Sequence, residues 1–117
     1  MHRVALLALL LLPTLLRAEQ RDIPYSKMNP LLSVETQSPL IQIKLSVEIT
    51  DDELSFEDVK VWLARDGEIL SSIPVNSEDG RIQLLPMAEQ QARSHALRIN
   101  HPEEAVNINF ELKIIPP

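Results

Sequence analysis

The chain has 117 residues, with 11 Lys and Arg against 17 Asp and Glu, a formal net charge of −6 and no cysteine. This acidic balance argues against a protein that binds nucleic acid or anionic lipid, because both classes normally present a basic face. Without cysteine the chain can form no disulfide and offers no thiol nucleophile, so packing alone must stabilise the fold.

The first eighteen residues have the order of a secretory signal. A positive start precedes an apolar run from Val4 to Leu16, and a strongly polar stretch follows Ala18. The run is too short to be a membrane span, which needs about 20 apolar residues. The pattern predicts a cleaved signal peptide over residues 1–18 and one domain over residues 19–117. An uncleaved anchor or a buried core helix is the alternative.

The mature chain is more acidic than the whole chain. Removal of Arg3 and Arg17 leaves 9 basic side chains against 17 acidic ones, which gives a mature charge of −8. No later segment is apolar enough to cross a bilayer, so we expect no membrane insertion after signal cleavage. The absence of cysteine and of any Asn-Xaa-Ser/Thr acceptor favours a soluble protein of the bacterial periplasm.

Two long segments, Ile41–Ile49 and Val106–Ile114, alternate between apolar and polar side chains. A period of two gives a strand one dry and one wet face, so both segments are predicted to be half-buried strands. If they are neighbours, opposite charges on their wet faces can oppose each other. Shorter strands are predicted at Arg21–Lys27, Val59–Leu63, Glu68–Val75, Arg81–Leu85 and Ala96–Asn100.

Turn residues separate these strands. Both glycines lie in Asp-Gly pairs, Asp66-Gly67 and Asp79-Gly80, which predict tight turns because glycine accepts a positive φ. Pro74 cannot donate to a ladder, so its strand should be an edge or should end there. A short helical turn is predicted near residues 87–94. About seven strands with regular turns predict an all-β fold, a single antiparallel two-sheet β-sandwich of immunoglobulin-like or transthyretin-like type.

Several short motifs carry a resemblance. The segments Val59-Lys60-Val61-Trp62-Leu63, Asp66-Gly67, Ile73-Pro74-Val75 and Asp79-Gly80-Arg81-Ile82 resemble those of other compact exported sandwiches. With the start Tyr25-Ser26-Lys27 and the alternating last strand, the chain also resembles small uncharacterised bacterial periplasmic proteins that carry a signal peptide. The resemblance implies a fold and a compartment, and no function comes with it.

Two histidines, His95 and His101, are the conventional bases of the mature chain, and no Gly-x-Ser-x-Gly elbow is present. A histidine without a positioned partner is not yet a general base, so we expect a protein that is not an enzyme. A small hydrolase that uses His95 or His101 is one alternative. Their spacing, even with Glu103 or Glu104, does not suit zinc, and we expect neither a metal nor a cofactor.

Four residues are candidate binding residues. Asp51, Asp52 and Glu53 begin an acidic loop over residues 51–58, and hard carboxylates suit Ca²⁺. The loop lacks the alternating ligands and the glycine of an EF-hand, and Asp51-Asp52 can equally cap a turn. Trp62 points away from the apolar face of its own strand, so it is either covered on a second face or exposed as a recognition anchor.

These features favour a non-enzymatic binding or accessory domain that contacts an envelope protein through loops or sheet edges. The edge near Pro74 and the acidic loop are the first places predicted for that contact. The other alternative is a structural subunit that self-assembles by strand addition, with Val106–Ile115 as the exchanged strand. The sequence identifies neither the ligand nor the oligomeric state.

Overall fold

The computed structural model describes residues 20–116, so the predicted signal peptide lies outside the described residues. The described chain forms seven strands and three short helices. None of these helices has the length and apolar character that crossing a membrane requires. In chain order the elements are β1 (Arg21–Pro24), α1 (Tyr25–Leu32), α2 (Val34–Gln37), β2 (Ile41–Ile49), a 3-10 turn (Phe56–Asp58), β3 (Val61–Arg65), β4 (Glu68–Ile73), β5 (Arg81–Ile82), α3 (Glu89–Ser94), β6 (His95–Ile99) and β7 (Val106–Ile114).

The strands form two antiparallel sheets, which confirms the predicted all-β sandwich. Sheet A has the order β1-β6-β3-β4, and sheet B has the order β5-β2-β7. Apolar side chains from both sheets form the core, because alternation directs one face of each strand inward. The buried strand residues of this core are Leu45, Val47, Val61, Ile82, Leu97, Ile99 and Val106.

The two long strands have the bounds that alternation predicts, and they are neighbours. β2 and β7 pair over nine residues, from Ile41 opposite Ile114 to Ile49 opposite Val106. On their wet faces Lys44 lies opposite Glu111, which confirms the predicted opposition of charge. The β2–β7 ladder is therefore the longer of the two ladders in sheet B.

The predicted Asp-Gly hairpin joins β3 to β4. Asp66 and Gly67 have positive φ angles of 51° and 85°, as a tight two-residue turn requires. β4 is the outermost strand of sheet A and ends immediately before Pro74. The strand before this proline is thus an edge strand and also ends there, as predicted. Leu70 is an extra residue in β4, because the register passes from Ser71 to Ile69.

Two helices between β1 and β2 contradict the prediction. The first strand was expected to reach Lys27, yet it ends at Pro24 and α1 follows at once. Three residues at helical spacing, Tyr25, Met28 and Leu32, are only 2%, 3% and 4% exposed. Burial of this apolar stripe stabilises a helix that Pro30, inside it, would otherwise disfavour. The helix predicted near residues 87–94 is confirmed as α3.

Side chains of α1 also explain why β5 is shorter than the predicted Arg81–Leu85 strand. The Tyr25 hydroxyl donates to the Leu85 carbonyl. Asn29 donates to the Met87 carbonyl at 2.8 Å and accepts the Met87 N–H at 2.9 Å. These side chains hold the backbone of residues 85–87 against α1, which draws the chain away from sheet B after Ile82.

We expect Tyr25 to ionise at a higher pH in the folded protein than in the unfolded chain. Burial raises the pKa of Tyr25 above its ordinary value of 10.0. A raised folded-state pKa stabilises the protein below pH 10.0, and this contribution is lost as the pH rises through the folded-state pKa.

Because Tyr25 is the sole tyrosine of the chain, near-ultraviolet absorbance reports its ionisation alone. The midpoint of phenolate formation should lie above pH 10.0 while the circular-dichroism signal is still that of the folded protein. Tyr25→Phe should show no absorbance change. Ionisation at the ordinary pKa by a still-folded protein would contradict this prediction.

Candidate functional site

A groove opens where residues 83–86 leave sheet B, between this segment, β2 and the two helices after β1. Its volume is about 530 Å³. We call it the β5 groove. Its apolar lining consists of Leu32, Ile43, Leu45, Ile82, Leu84, Leu85 and Pro86. Its polar lining consists of Glu35, Thr36, Gln42, Arg81 and Gln83.

Glu35 occupies a ladder position on the β2 side of the groove. Odd-numbered residues of β2 direct their backbone groups away from β7, as Val47 shows by donating its N–H to the Gly80 carbonyl at 2.8 Å. The N–H of Ile43 has the same direction, and the Glu35 carboxylate accepts it. A side chain therefore replaces the strand carbonyl that β5 would supply if it continued.

The lining of the β5 groove combines apolar side chains with hydrogen-bonding groups. Glu35 and Arg81 provide opposite charges, while Gln42 and Gln83 can donate and accept. Its volume lies within the range of about 300 to 1,000 Å³ that is usual for binding sites. Leu85, 79% exposed, presents a large apolar side chain at the rim. This arrangement suits recognition by shape and hydrogen bonding.

Trp62 lies on the outer face of sheet A, away from the β5 groove. The register places Asp22, Arg98, Trp62 and Ser72 in one row across the four strands. Arg98 donates to both Asp22 oxygens, at 2.7 and 3.0 Å, and these hydrogen bonds raise the pKa of its guanidinium. Trp62 is half-buried, so it is neither fully covered on this face nor fully exposed. Its role as a binding anchor stays a prediction.

The acidic residues lie on a third surface, in the loop after β2. Asp51, Asp52 and Glu53 are exposed. The Asp51 carboxylate accepts the Glu53 N–H at 3.0 Å, and its carbonyl accepts the Leu54 N–H at 3.1 Å. Asp51 therefore caps a turn. Among residues 20–116, no three acidic or histidine side chains converge enough to hold a metal ion.

The Asp58 carboxylate, at the far end of the same loop, also stabilises a local turn. Its carboxylate accepts the backbone N–H of Ser55 at 2.9 Å and the Ser55 hydroxyl at 3.2 Å. These hydrogen bonds are the main cause that lowers the pKa of Asp58, and the nearby charges of His101 and Lys60 act in the same direction. The structure thus gives the Asp51 and Asp58 carboxylates roles in turns, and it shows no hydrogen bond between any described carboxylate of this loop and Trp62.

The histidines lie at opposite ends of β6, His95 as its first residue and His101 two residues after its last. His95 has its Nδ1 atom 2.6 Å from the Gln91 carbonyl, and His101 has its Nε2 atom 2.9 Å from the Asp58 carbonyl. Facing a carbonyl oxygen, each of these nitrogens must carry the proton. β6 separates the backbones of the two histidines by most of the roughly 20 Å that six extended positions would span. The two histidines therefore do not share a site, and neither lines the β5 groove.

Sequence reasoning missed the residues that organise the loops. Asn100 accepts the Lys60 N–H at 2.8 Å and donates to the Asp58 carbonyl at 3.0 Å, so it joins the loops before β3 and after β6. Glu35 and Asn29 similarly bind backbone groups far along the chain. Polar residues at element ends were the sole local signal, and their distant partners have no signature in the sequence.

No known protein family, curated protein or solved structure matches this chain significantly. The assignment of a function therefore rests on the residues and their geometry.

Proposed function

We propose that the protein is an exported, non-enzymatic binding domain of the bacterial periplasm that contacts a protein of the cell envelope. The observation that carries this proposal is the β5 groove, which combines a volume of about 530 Å³ with a mixed lining of apolar and hydrogen-bonding side chains. Such a groove is typical of recognition sites.

The proposed compartment is supported by the first eighteen residues and by composition. A short apolar run followed by a polar stretch is typical of a signal peptide. A cysteine-free chain and a mature charge of −8 suit a periplasmic protein that relies on packing. The basic faces that bind nucleic acid are not expected of such a chain.

An extended segment of the partner protein fits the β5 groove best. Leu32, Ile43 and Leu84 can contact apolar side chains of the partner, because they are among the apolar residues that line the groove. The amide groups of Gln42 and Gln83 can bind the backbone of an extended chain, which exposes donors and acceptors at regular intervals. His95 and His101 lie elsewhere, so the groove supports binding and offers no histidine base for hydrolysis.

Capture from envelope extract tests the proposal. The protein carries an affinity tag, and the proteins retained by the wild type and by Leu85→Glu are compared. Leu85 has a free side chain at the rim, so the substitution should leave the fold intact and place a charge on the apolar edge of the groove. We expect Leu85→Glu to lose a discrete partner that the wild type retains.

A matched control uses the same substitution on another surface. Leu70 is 45% exposed on β4, at the far edge of sheet A. Leu70→Glu should retain the partner as well as the wild type does. The proposal fails if the wild type retains no specific envelope protein, or if both variants retain it equally.

A further inference from the structure

Among residues 20–116, no strand pairs with the outer edge of β7. Ile115 donates its N–H to the Leu40 carbonyl at 2.7 Å, and Ala105 accepts the Thr50 N–H at 2.9 Å. Odd-numbered residues of β7 therefore bond to β2, and even-numbered residues direct their N–H and C=O groups outward. The Arg21 guanidinium donates to the Val106 carbonyl at 2.9 Å and covers the first outward position.

The far half of β7 also exposes apolar side chains. Leu112 and Ile114 are 58% and 77% exposed, although they lie on the same face as the half-buried Ile108 and Phe110. Natural sheet edges are usually protected by short strands, bulges or a covering element. β7 instead runs for nine residues as an outermost strand. Both its backbone and its apolar face can accept another strand.

We propose that a second copy of this chain pairs with that edge, with β7 antiparallel to β7 about a twofold axis at Leu112. In this register Leu112 lies opposite its own counterpart, and Phe110 lies opposite Ile114 of the second copy. Glu111 of each copy lies opposite Lys113 of the other copy. The apolar residues continue one face, and two ion pairs form on the other.

Charge selects this register over its neighbours. An axis at Glu111 places that carboxylate opposite its own counterpart, and an axis at Lys113 does the same with two ammonium groups. Like charges directly opposite each other are destabilising. An axis at Phe110 avoids repulsion but places Glu111 opposite Asn109, so both ion pairs are lost. In the register at Leu112 the outward backbone groups can pair, the apolar side chains share one face, and opposite charges lie across from each other.

A groove beside β7 receives the exposed end of the second copy. It has a volume of about 400 Å³. Its apolar lining residues are Ile23, Pro24, Met28, Ile108 and Phe110, and its polar lining residues are Arg21, Asp22, Lys27, Glu103 and Asn107. Because Ile114 of the second copy lies opposite Phe110, it reaches the mouth of this groove. Pro116 of the second copy would lie opposite Ile108. Because proline lacks an N–H, the ladder between the two copies would end there, before it reaches the Val106 carbonyl that Arg21 binds.

The pairing adds to two complete folds. β7 already pairs with β2 over its whole length, so its exchange between copies would break nine residues of ladder. Addition at the edge preserves this ladder and joins the two copies of sheet B into one six-stranded sheet. This differs from the exchanged strand considered from the sequence.

Sedimentation of complementary charge variants tests the proposal. The exported wild-type protein should change from monomer to dimer with increasing concentration. E111K and K113E should each shift this equilibrium at least tenfold towards monomer, because each places like charges across the axis. An equimolar mixture of the two variants should form a heterodimer, in which every lysine again faces a glutamate.

The mixture is its own control, because it contains the same substitutions as the two weakened samples. Thermal melting of each variant checks that the monomers remain folded. A wild type that stays monomeric at every concentration overturns the proposal. So do single variants that dimerise as well as the wild type, or a mixture that remains monomeric. None of these outcomes depends on the β5 groove, whose partner is tested separately.

Discussion

Replacement of Gly80 by alanine is expected to destabilise the protein by about 2 to 4 kcal/mol. Gly80 is buried and has a φ of +73°. An added Cβ would lie 2.5 Å from Cε1 of Phe56 and 2.9 Å from the Val47 backbone oxygen. Strain and overlap therefore act together.

The backbone around Gly80 cannot move aside without loss of hydrogen bonds. Its carbonyl accepts the Val47 N–H at 2.8 Å, and its N–H donates to the Asn76 carbonyl at 2.8 Å. These bonds fix the turn to the edge of β2, so relief of the overlap would break the start of the β2–β5 ladder. The Phe56 ring can rotate, but the Val47 oxygen belongs to a paired strand.

Gly67→Ala is the matched control. Gly67 also has a positive φ, of +85°, but no atom lies within 4 Å of its added Cβ. Only the strain of a left-handed backbone remains, which costs about 1 kcal/mol. Urea denaturation of the two variants measures the difference in the free energy of unfolding. Equal losses would contradict the tight contact at Gly80.

Leu97→Ala is the second substitution with a large expected effect, about 3 to 4 kcal/mol. Leu97 is 0% exposed and lies in β6, between Ile23 of β1 and Leu63 of β3. Truncation would open a cavity at the centre of sheet A, where the neighbouring strands are held by their ladders and cannot collapse into it.

Leu70→Ala serves as its control, since Leu70 is 45% exposed on the edge strand β4. We expect a loss below about 1 kcal/mol there. Both variants should be compared by denaturant unfolding with the slope of the transition held in common. A loss at position 70 equal to that at position 97 would show that the core does not lie between the sheets.

Local pattern was enough to predict the parts of the fold that depend on local chemistry. Alternation gave both ends of β2 and β7, because a strand with one dry face must alternate over its whole paired length. The Asp66-Gly67 pair predicted a hairpin, since a positive φ is a local requirement. Pro74 marked the edge strand for the same kind of reason.

The parts that failed depend on distant contacts. Pro30 and a polar composition concealed α1, whose stability comes from burial of Tyr25, Met28 and Leu32 against the sheets. The predicted β5 strand was too long because Tyr25 and Asn29 bind the backbone of residues 85–87. Strand order likewise depends on which edges meet in space, and no single segment encodes that.

The candidate site was still less predictable than the fold. Exposed carboxylates and the lone tryptophan were the conspicuous residues of the sequence, but the structure places them on separate surfaces. The β5 groove instead arises from the departure of residues 83–86 from sheet B, and its rim residue Glu35 acts through a hydrogen bond to Ile43. A groove that forms where a strand ends leaves no recognisable motif in the sequence.

Photo-crosslinking in the native host tests the binding assignment most directly. A photoreactive amino acid is placed at position 85 of the full chain, on the rim of the β5 groove, and at position 70 as the control. The account predicts one discrete adduct with an envelope protein from position 85 and none of that size from position 70. No adduct at position 85, or the same adducts from both positions, would contradict it.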